Sequence, residues 1–217
     1  MYSIPSLFDL THTVSADYLR QFDCPWEALK GIQDLIAQLG PRLGEEYTQI
    51  CPQVWAHKTA KIAPTAFLGG LCIIGADTEI RHGAFIRGSA LIGDGCVVGN
   101  SVELKNVILF DGVQVPHFNY VGDSILGYKA HMGAGSITSN VRADRALVVI
   151  HGPEDIPTGI KKVGAFLGDY AEIGCNAVLN PGTVIGKNSI VYPLSNVRGT
   201  VPKHSICKAD GTIISRR

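Results

Sequence analysis

A strict period of six constrains this chain more than any other feature. Every sixth position from Ile62 carries a large apolar residue: Ile62, Leu68, Ile74, Ile80, Ile86, Ile92, Val98, Leu104 and Phe110. A glycine often follows, as at Gly69, Gly75, Gly93 and Gly99. Four places after each stands a mostly small residue: Ala66, Cys72, Thr78, Ala84, Ala90, Cys96 and Val102. A helix repeats every ~3.6 residues and a half-buried strand every ~2, so neither produces this pattern. A six-residue unit reads as a short strand plus a turn. The aliphatic points inward, the small residue fits where walls converge, and glycine relieves the corner. Three units close a triangular coil, and coils stack at about 4.8 Å. Each coil buries its aliphatics only against its neighbours, so the core is a stacked column. The expected fold is an all-β solenoid, a parallel β-helix over residues 51–205.

The composition agrees. Hydrophobic residues make up 46% of the 217, but aromatics only 7%, as expected of a narrow prism with little room for rings. That richness excludes disorder, which needs low hydrophobicity and high charge. The formal net charge is zero, which argues against nonspecific nucleic-acid or anionic-membrane binding. No stretch reaches the roughly 18 apolar residues of a membrane span, and MYSIPSLFDLTHTV has no basic leader region. A cytoplasmic protein is expected. Cysteines 24, 51, 72, 96, 175 and 207 form no C-x-x-C, so they are read as reduced, small buried hydrophobes.

The hexad grammar returns in shifted phase. Leu126-Gly127, Met132-Gly133 and Thr138 form one array; Leu167-Gly168, Ile173-Gly174, Leu179, Ile185-Gly186, Val191 and Val197 form another. Between Phe110 and Leu126 the frame breaks, and Pro116–Ser124 reads as an irregular piece. A second interruption, 140–162, contains an apolar run (146–150) and the turn-rich HGPEDIPTG; a loop this long is more often functional than idle. Residues 15–39 read as a helix, with Trp26, Leu29, Ile32, Leu35, Ile36 and Leu39 on one face and Gly40-Pro41 as its stop. The layout expected is an N-terminal helical cap over the open end (1–50), the β-helix (51–205) and a polar tail (206–217).

Arg87 and Lys105 carry an argument from spacing alone. They are 18 residues apart, one coil, and each follows an in-frame aliphatic. Stacked like charges are unfavourable unless an anion sits between them.

The hexad array resembles the hexapeptide-repeat acyltransferase superfamily, whose fold is a left-handed parallel β-helix. The segments His117-Phe-Asn-Tyr-Val-Gly-Asp-Ser, Gly133-Ala-Gly-Ser-Ile-Thr-Ser-Asn140, Lys162-Val-Gly-Ala-Phe-Leu-Gly-Asp169 and Asn180-Pro-Gly-Thr-Val-Ile-Gly186 resemble one branch more closely. It is the C-terminal acetyltransferase domain of bifunctional sugar-1-phosphate nucleotidylyltransferase/acetyltransferases, including glucosamine-1-phosphate acetyltransferase. The nucleotidylyltransferase half has no counterpart in these residues.

The resemblance implies an N-acetyltransferase acting on an amino-sugar phosphate or a nucleotide-linked amino sugar, with acetyl-CoA as co-substrate and no metal. It implies a homotrimer with the site between neighbouring β-helices. His117 matches the catalytic base, since acetylating an amine requires removal of a proton as nitrogen attacks the thioester. Glu103 matches a carboxylate that orients this imidazole. Arg87 and Lys105 match the sugar-phosphate pair, and Tyr120, His131 and Asn140 match sugar-pocket positions. Gly133, Ala134, Cys175 and Pro193 fall on the cofactor side, Cys175 where many members carry serine near the thioester. Two departures stand out. His131 replaces a usual asparagine, and the lysine expected after Asn140 is missing, Arg142 and Arg145 being the nearest basic residues.

Two other readings compete. A non-catalytic sugar-phosphate-binding or assembly module, partnering a separate nucleotidylyltransferase, fits both departures. A zinc hydrolyase of the γ-carbonic-anhydrase type shares the fold, but His82, His117 and His131 lack the close pairing such a site needs.

Overall fold

The computed structural model describes residues 2–216 and winds the repeat into a three-sided parallel β-helix of about nine turns. The all-β solenoid expected from the repeat is the fold class observed. The first side stacks Val54–His57, Cys72–Ile74 and the C-terminal halves of Phe85–Ile92, Glu103–Leu109 and Tyr120–Leu126. Ala165–Leu167, Thr183–Ile185 and Thr200–Val201 continue it. The N-terminal halves of the three long strands form the second side with Phe67–Leu68, Ile137–Thr138, Val178–Leu179 and Asn196–Val197. Because those strands turn the corner, two sides make one 13-stranded sheet. The third side is a 9-stranded sheet running from Lys61–Ile62 to Ile213–Ser215.

The inward column follows the hexads except that Leu109, not Phe110, stands opposite Ile92. Ile74, Ile92, Leu109, Leu126, Leu167, Ile185 and Val201 stack in register on the first side, all buried. The coil is 18 residues from Cys72 to Ala90 but 17 from Ala90 to Val107 and from Val107 to Ser124. The first residue is lost between Ile86 and Gly88, where the ladder bulges at Arg87. The expected irregular piece at Pro116–Ser124 is therefore regular: Gln114–His117 and Tyr120–Leu126 are parallel strands. Dropping one residue per coil shifts the hexad frame without interrupting the hydrogen bonds.

The glycines after the inward aliphatics also differ from expectation. Gly99 and Gly174 do not have positive φ, and a Cβ at either would run into the backbone of the next coil at Pro116 or Pro193. They permit close stacking. The left-handed corner conformation falls instead on residues such as Phe118, Asn176 and Leu194, at about 1–2 kcal/mol each, which the ladders on both sides must offset.

Residues 15–39 are not one helix. Ala16–Leu19 and Ile32–Leu39 are α-helical, with a 3₁₀ stretch Pro25–Gly31 between them. The segment lies along the first side rather than across the open end. Phe8 packs on Phe110 at 5.2 Å and Trp26 on Phe166 at 6.0 Å between ring centroids. The Asn106 side chain donates to the Leu29 carbonyl at 3.2 Å. The outward column of this side, Ile73, Leu91, Ile108, Ile125, Phe166 and Val184, is at most 1% exposed as a result. At roughly 1.5–3 kcal/mol per buried side chain, the segment is integral to the fold.

The ends are closed by antiparallel strands. Tyr47–Cys51 pairs with Val54–His57 at one end. Ile213–Ser215 pairs with Ser205–Cys207 at the other, so much of the expected tail is an edge strand. The insertion at 140–162 is pinched at its base by a Val141–Lys162 bridge and carries a hairpin of Val149–Ile150 with Ile156–Pro157. It folds back on the last coils at Gly199, where a Cβ would lie 2.8 Å from the His151 carbonyl oxygen.

Candidate functional site

The edge between the third and second sides gathers much of the expected chemistry. Asn100, His117, Ala134, Cys175 and Pro193 climb it one coil at a time. The Phe118 N–H donates to the Asn100 carbonyl at 2.9 Å, Gly135 to His117 at 3.0 Å, Asn176 to Ala134 at 2.8 Å and Leu194 to Cys175 at 3.0 Å. His117, Ala134, Cys175 and Pro193 thus share one rail. Gly133 lies just behind it, where a Cβ would sit 2.8 Å from the Cys175 nitrogen. Cys175 is exposed rather than the small buried thiol expected. Cys72 and Cys96 are buried as expected, and burial pushes the Cys96 thiol up to about 12.

The backbone at His117 is held by Asn119, which is 2% exposed. The Asn119 Oδ1 accepts from the His117 N–H at 3.1 Å, and its Nδ2 donates to the carbonyls of Gly133 (2.8 Å) and Ser136 (3.2 Å). The imidazole itself is exposed and has no hydrogen-bond partner among the described residues. Glu103, expected to orient it, accepts instead from Arg87 Nη1 at 3.1 Å.

The expected stacking of Arg87 on Lys105 is also corrected. Arg87 sits on the bulge, and Lys105 stands opposite Gly88. Each cation has a carboxylate of its own. Lys105 Nζ lies 2.9 and 3.1 Å from the two oxygens of Asp123, which is only 3% exposed. Asp123 also accepts from Asn106 at 2.8 Å and from Asn140 at 2.6 Å. The same Asn140 amide donates to the Tyr120 hydroxyl at 3.1 Å. Lys105, Tyr120 and Asn140 are therefore brought together, through an aspartate. Burial, then the Asp123 and Glu103 charges, push the Tyr120 hydroxyl above its ordinary value and keep it protonated.

His131 does not join this group. It lies on the third side with Nδ1 2.8 Å from Glu172 Oε2. Arg142 closes on Asp144 at 2.9 and 2.6 Å, holding that carboxyl well below the usual range. Beside Asn140, a polar cleft of about 400 Å³ is lined by Ser139, Val141, Arg142, Asn180 and Arg198. Among the described residues no group of three or more His, Cys, Asp or Glu could hold a metal ion. No helix among them is long and apolar enough to cross a membrane.

Asn119 and Asp123 are the residues that sequence reasoning missed. Asn119 occupies the small-residue column, opposite Val102 one coil down once the 17-residue spacing is applied. An asparagine among alanines, serines and valines was the available signal.

Fold and edge together define a hexapeptide-repeat β-helix of the acetyltransferase type. Residues 70–152 match the family model of the GMPPB C-terminal domain. The uncharacterized acetyltransferase YaiX of Escherichia coli (strain K12) is 30% identical over 78% of this chain and 78% of its own length. The bifunctional sugar-1-phosphate nucleotidylyltransferase/acetyltransferase of Sulfurisphaera tokodaii is 31% identical over 64% of this chain and 40% of its own. The crystal structure of PerB from Caulobacter crescentus with CoA and GDP-perosamine is 19% identical, covering 85% of this chain and 67% of that one at a TM-score of 0.40. The chain belongs to the hexapeptide-repeat acetyltransferase family. It spans about a quarter to a half of the length of the bifunctional relatives it matches.

Proposed function

We propose that the protein transfers an acetyl group from acetyl-CoA to the amine of an amino-sugar phosphate or nucleotide-linked amino sugar. The observation that carries this reading is the single edge on which the unpartnered His117 imidazole stands in line with Ala134, Cys175 and Pro193. His117 takes the proton of the attacking amine. The thioester lies along the rail above it, where Gly133 lets the coils of Ala134 and Cys175 stack closely. Direct transfer needs no covalent enzyme intermediate, so Cys175 lines the path and does not attack. Tyr120 and Asn140 contact the sugar, and Arg87 and Lys105 its phosphate. Dependence on acetyl-CoA goes with a cytoplasmic setting.

A homotrimer completes the site. His131 is on the third side while Tyr120 and Asn140 are on the second, so they converge only across copies. The exposed apolar residues Phe67 (61%), Phe118 (62%) and Leu194 (73%) on this flank support such packing.

The test is release of free CoA from acetyl-CoA in the presence of glucosamine-1-phosphate and a panel of related amino sugars. Turnover with at least one of them is expected; no transfer to any would overturn the reading. One observation favours a second reading, a sugar-phosphate-binding or assembly module that partners a nucleotidylyltransferase. His131 is turned to Glu172, and Arg142, the nearest basic residue after Asn140, is closed on Asp144, so both departures from the family pattern leave the catalytic side of the pocket incomplete. Sugar-phosphate binding without turnover would select it.

A further inference from the structure

A second cleft lies on the first side of the last coils and adjoins the polar cleft beside Asn140 through Arg198 and His151. Four segments enclose about 1050 Å³: the N-terminal turn with Pro5 and Leu7, the insertion tip at His151–Pro153, the coils at 184–188 and 198–204, and Ile213 of the returning strand. That is at the upper end of small-ligand sites, which run to about 1,000 Å³. Pro5, Pro153, Pro202 and Ile213, all exposed, give it apolar walls.

The rim is basic. Lys187, Arg198, Lys203, His151 and His204 line the cleft, and no aspartate or glutamate does. Lys187 is held by Asp169 at 2.8 Å from behind. Arg198 donates to His151 Nε2 at 3.1 Å, and His151 Nδ1 meets Asp155 at 3.0 Å, which pins the insertion tip against the coil. Lys203 has no carboxylate within ion-pairing distance among the described residues, and neither has Arg198. The two stand at opposite ends of the strand Thr200–Val201, with the apolar strip between them. On a protein of zero net charge this is a local excess of cations around a partly apolar recess. Such a cluster raises the local positive potential and attracts an anion.

We infer that this cleft binds an organic anion with an aliphatic body, a medium-chain carboxylate. The cations at the rim take the carboxylate, and the walls take the chain. Aliphatic walls favour a chain over a nucleobase: the tyrosine that lines the cleft, Tyr2, has its hydroxyl on Thr200 Oγ1 at 3.0 Å. The inference does not rest on the acetyl-transfer reading.

The experiment is displacement of 1-anilinonaphthalene-8-sulfonate from the full chain by decanoate, with ADP as a parallel competitor. Saturable displacement by decanoate, weakened by salt, is expected. Lys203→Glu should weaken decanoate about tenfold, and Ile213→Ser about threefold. Both positions are on the surface, so the fold should tolerate them, and an unchanged melting temperature confirms it. Absence of saturable displacement would overturn the inference. So would equal affinity in wild type and Lys203→Glu, or stronger displacement by ADP, which would assign a nucleotide instead.

Discussion

Asp123 and Asp169 are built alike and do different work. Each is about 4% exposed at its side chain, and each is met by a lysine one coil away: Lys105 at 2.9 Å and Lys187 at 2.8 Å. Asp169 sits on the covered flank. Its oxygens accept from the backbone N–H of Asp9 (2.8 Å) and Tyr128 (2.9 Å), tying the N-terminal segment to the coil. Asp123 sits beside Lys105, Tyr120 and Asn140. Apart from Lys105 it accepts from side chains, Asn106 and Asn140, and through Asn140 it reaches Tyr120. The same buried ion pair thus fastens backbone in one place and ties side chains together in the other. What surrounds the pair decides its role: a covered flank leaves only backbone to bind, and a more open edge leaves half-exposed side chains such as Tyr120 and Asn140.

Breaking the working edge should give the largest effect. His117→Ala should lower kcat by about 10²–10⁴-fold in the CoA-release assay with the melting temperature unchanged, the range for loss of a general base. Next comes the structural pair. Asp169→Ala leaves the Lys187 ammonium and two amide donors without their partner, and should destabilise by about 3 kcal/mol in urea titration, with the N-terminal segment losing protection from proteolysis. Asp123→Asn keeps the shape and removes the charge. It should raise KM for the amino sugar about tenfold, about 1.4 kcal/mol of binding, while changing kcat little.

The smallest effect concerns Tyr120. Its hydroxyl is pushed above the ordinary 10.0 by burial, so in the folded state it holds its proton where the unfolded chain releases it. The stability this contributes is complete below the unfolded value and is lost as pH rises through the higher folded one. Tyr120→Phe should therefore flatten part of the stability decline above about pH 10, measured by urea denaturation at successive pH values.

The fold was legible because the hexad column is a direct readout of an inward-facing ladder. Even the covered flank left a mark: Ile73-Ile74, Leu91-Ile92, Ile108-Leu109 and Ile125-Leu126 are apolar on both faces of the strand, while Glu79, Gln114 and Glu172 on the third side are not. A doubled aliphatic signals a cover, and that places the N-terminal segment along the flank. The 17-residue coils hid what followed. One missing residue turned regular strands into a phase break and put Arg87 on a bulge instead of over Lys105. The partners of the charged residues were illegible for another reason. Asp123 reads as an ordinary turn residue until the neighbouring coils bring Lys105 and Asn140 to it, and no spacing along the chain encodes which carboxylate takes which cation.

The most direct test sets Asp123→Asn beside Asp169→Asn in one series. KM for the amino sugar and the melting temperature are measured for both, with kinetics taken well below the lower melting point. The expected result is a crossed pattern: Asp123→Asn raises KM with a small loss of melting temperature, and Asp169→Asn lowers melting temperature strongly with KM unchanged. An equal KM shift in both variants, or none in Asp123→Asn, would contradict the division between a working edge and a fastened flank.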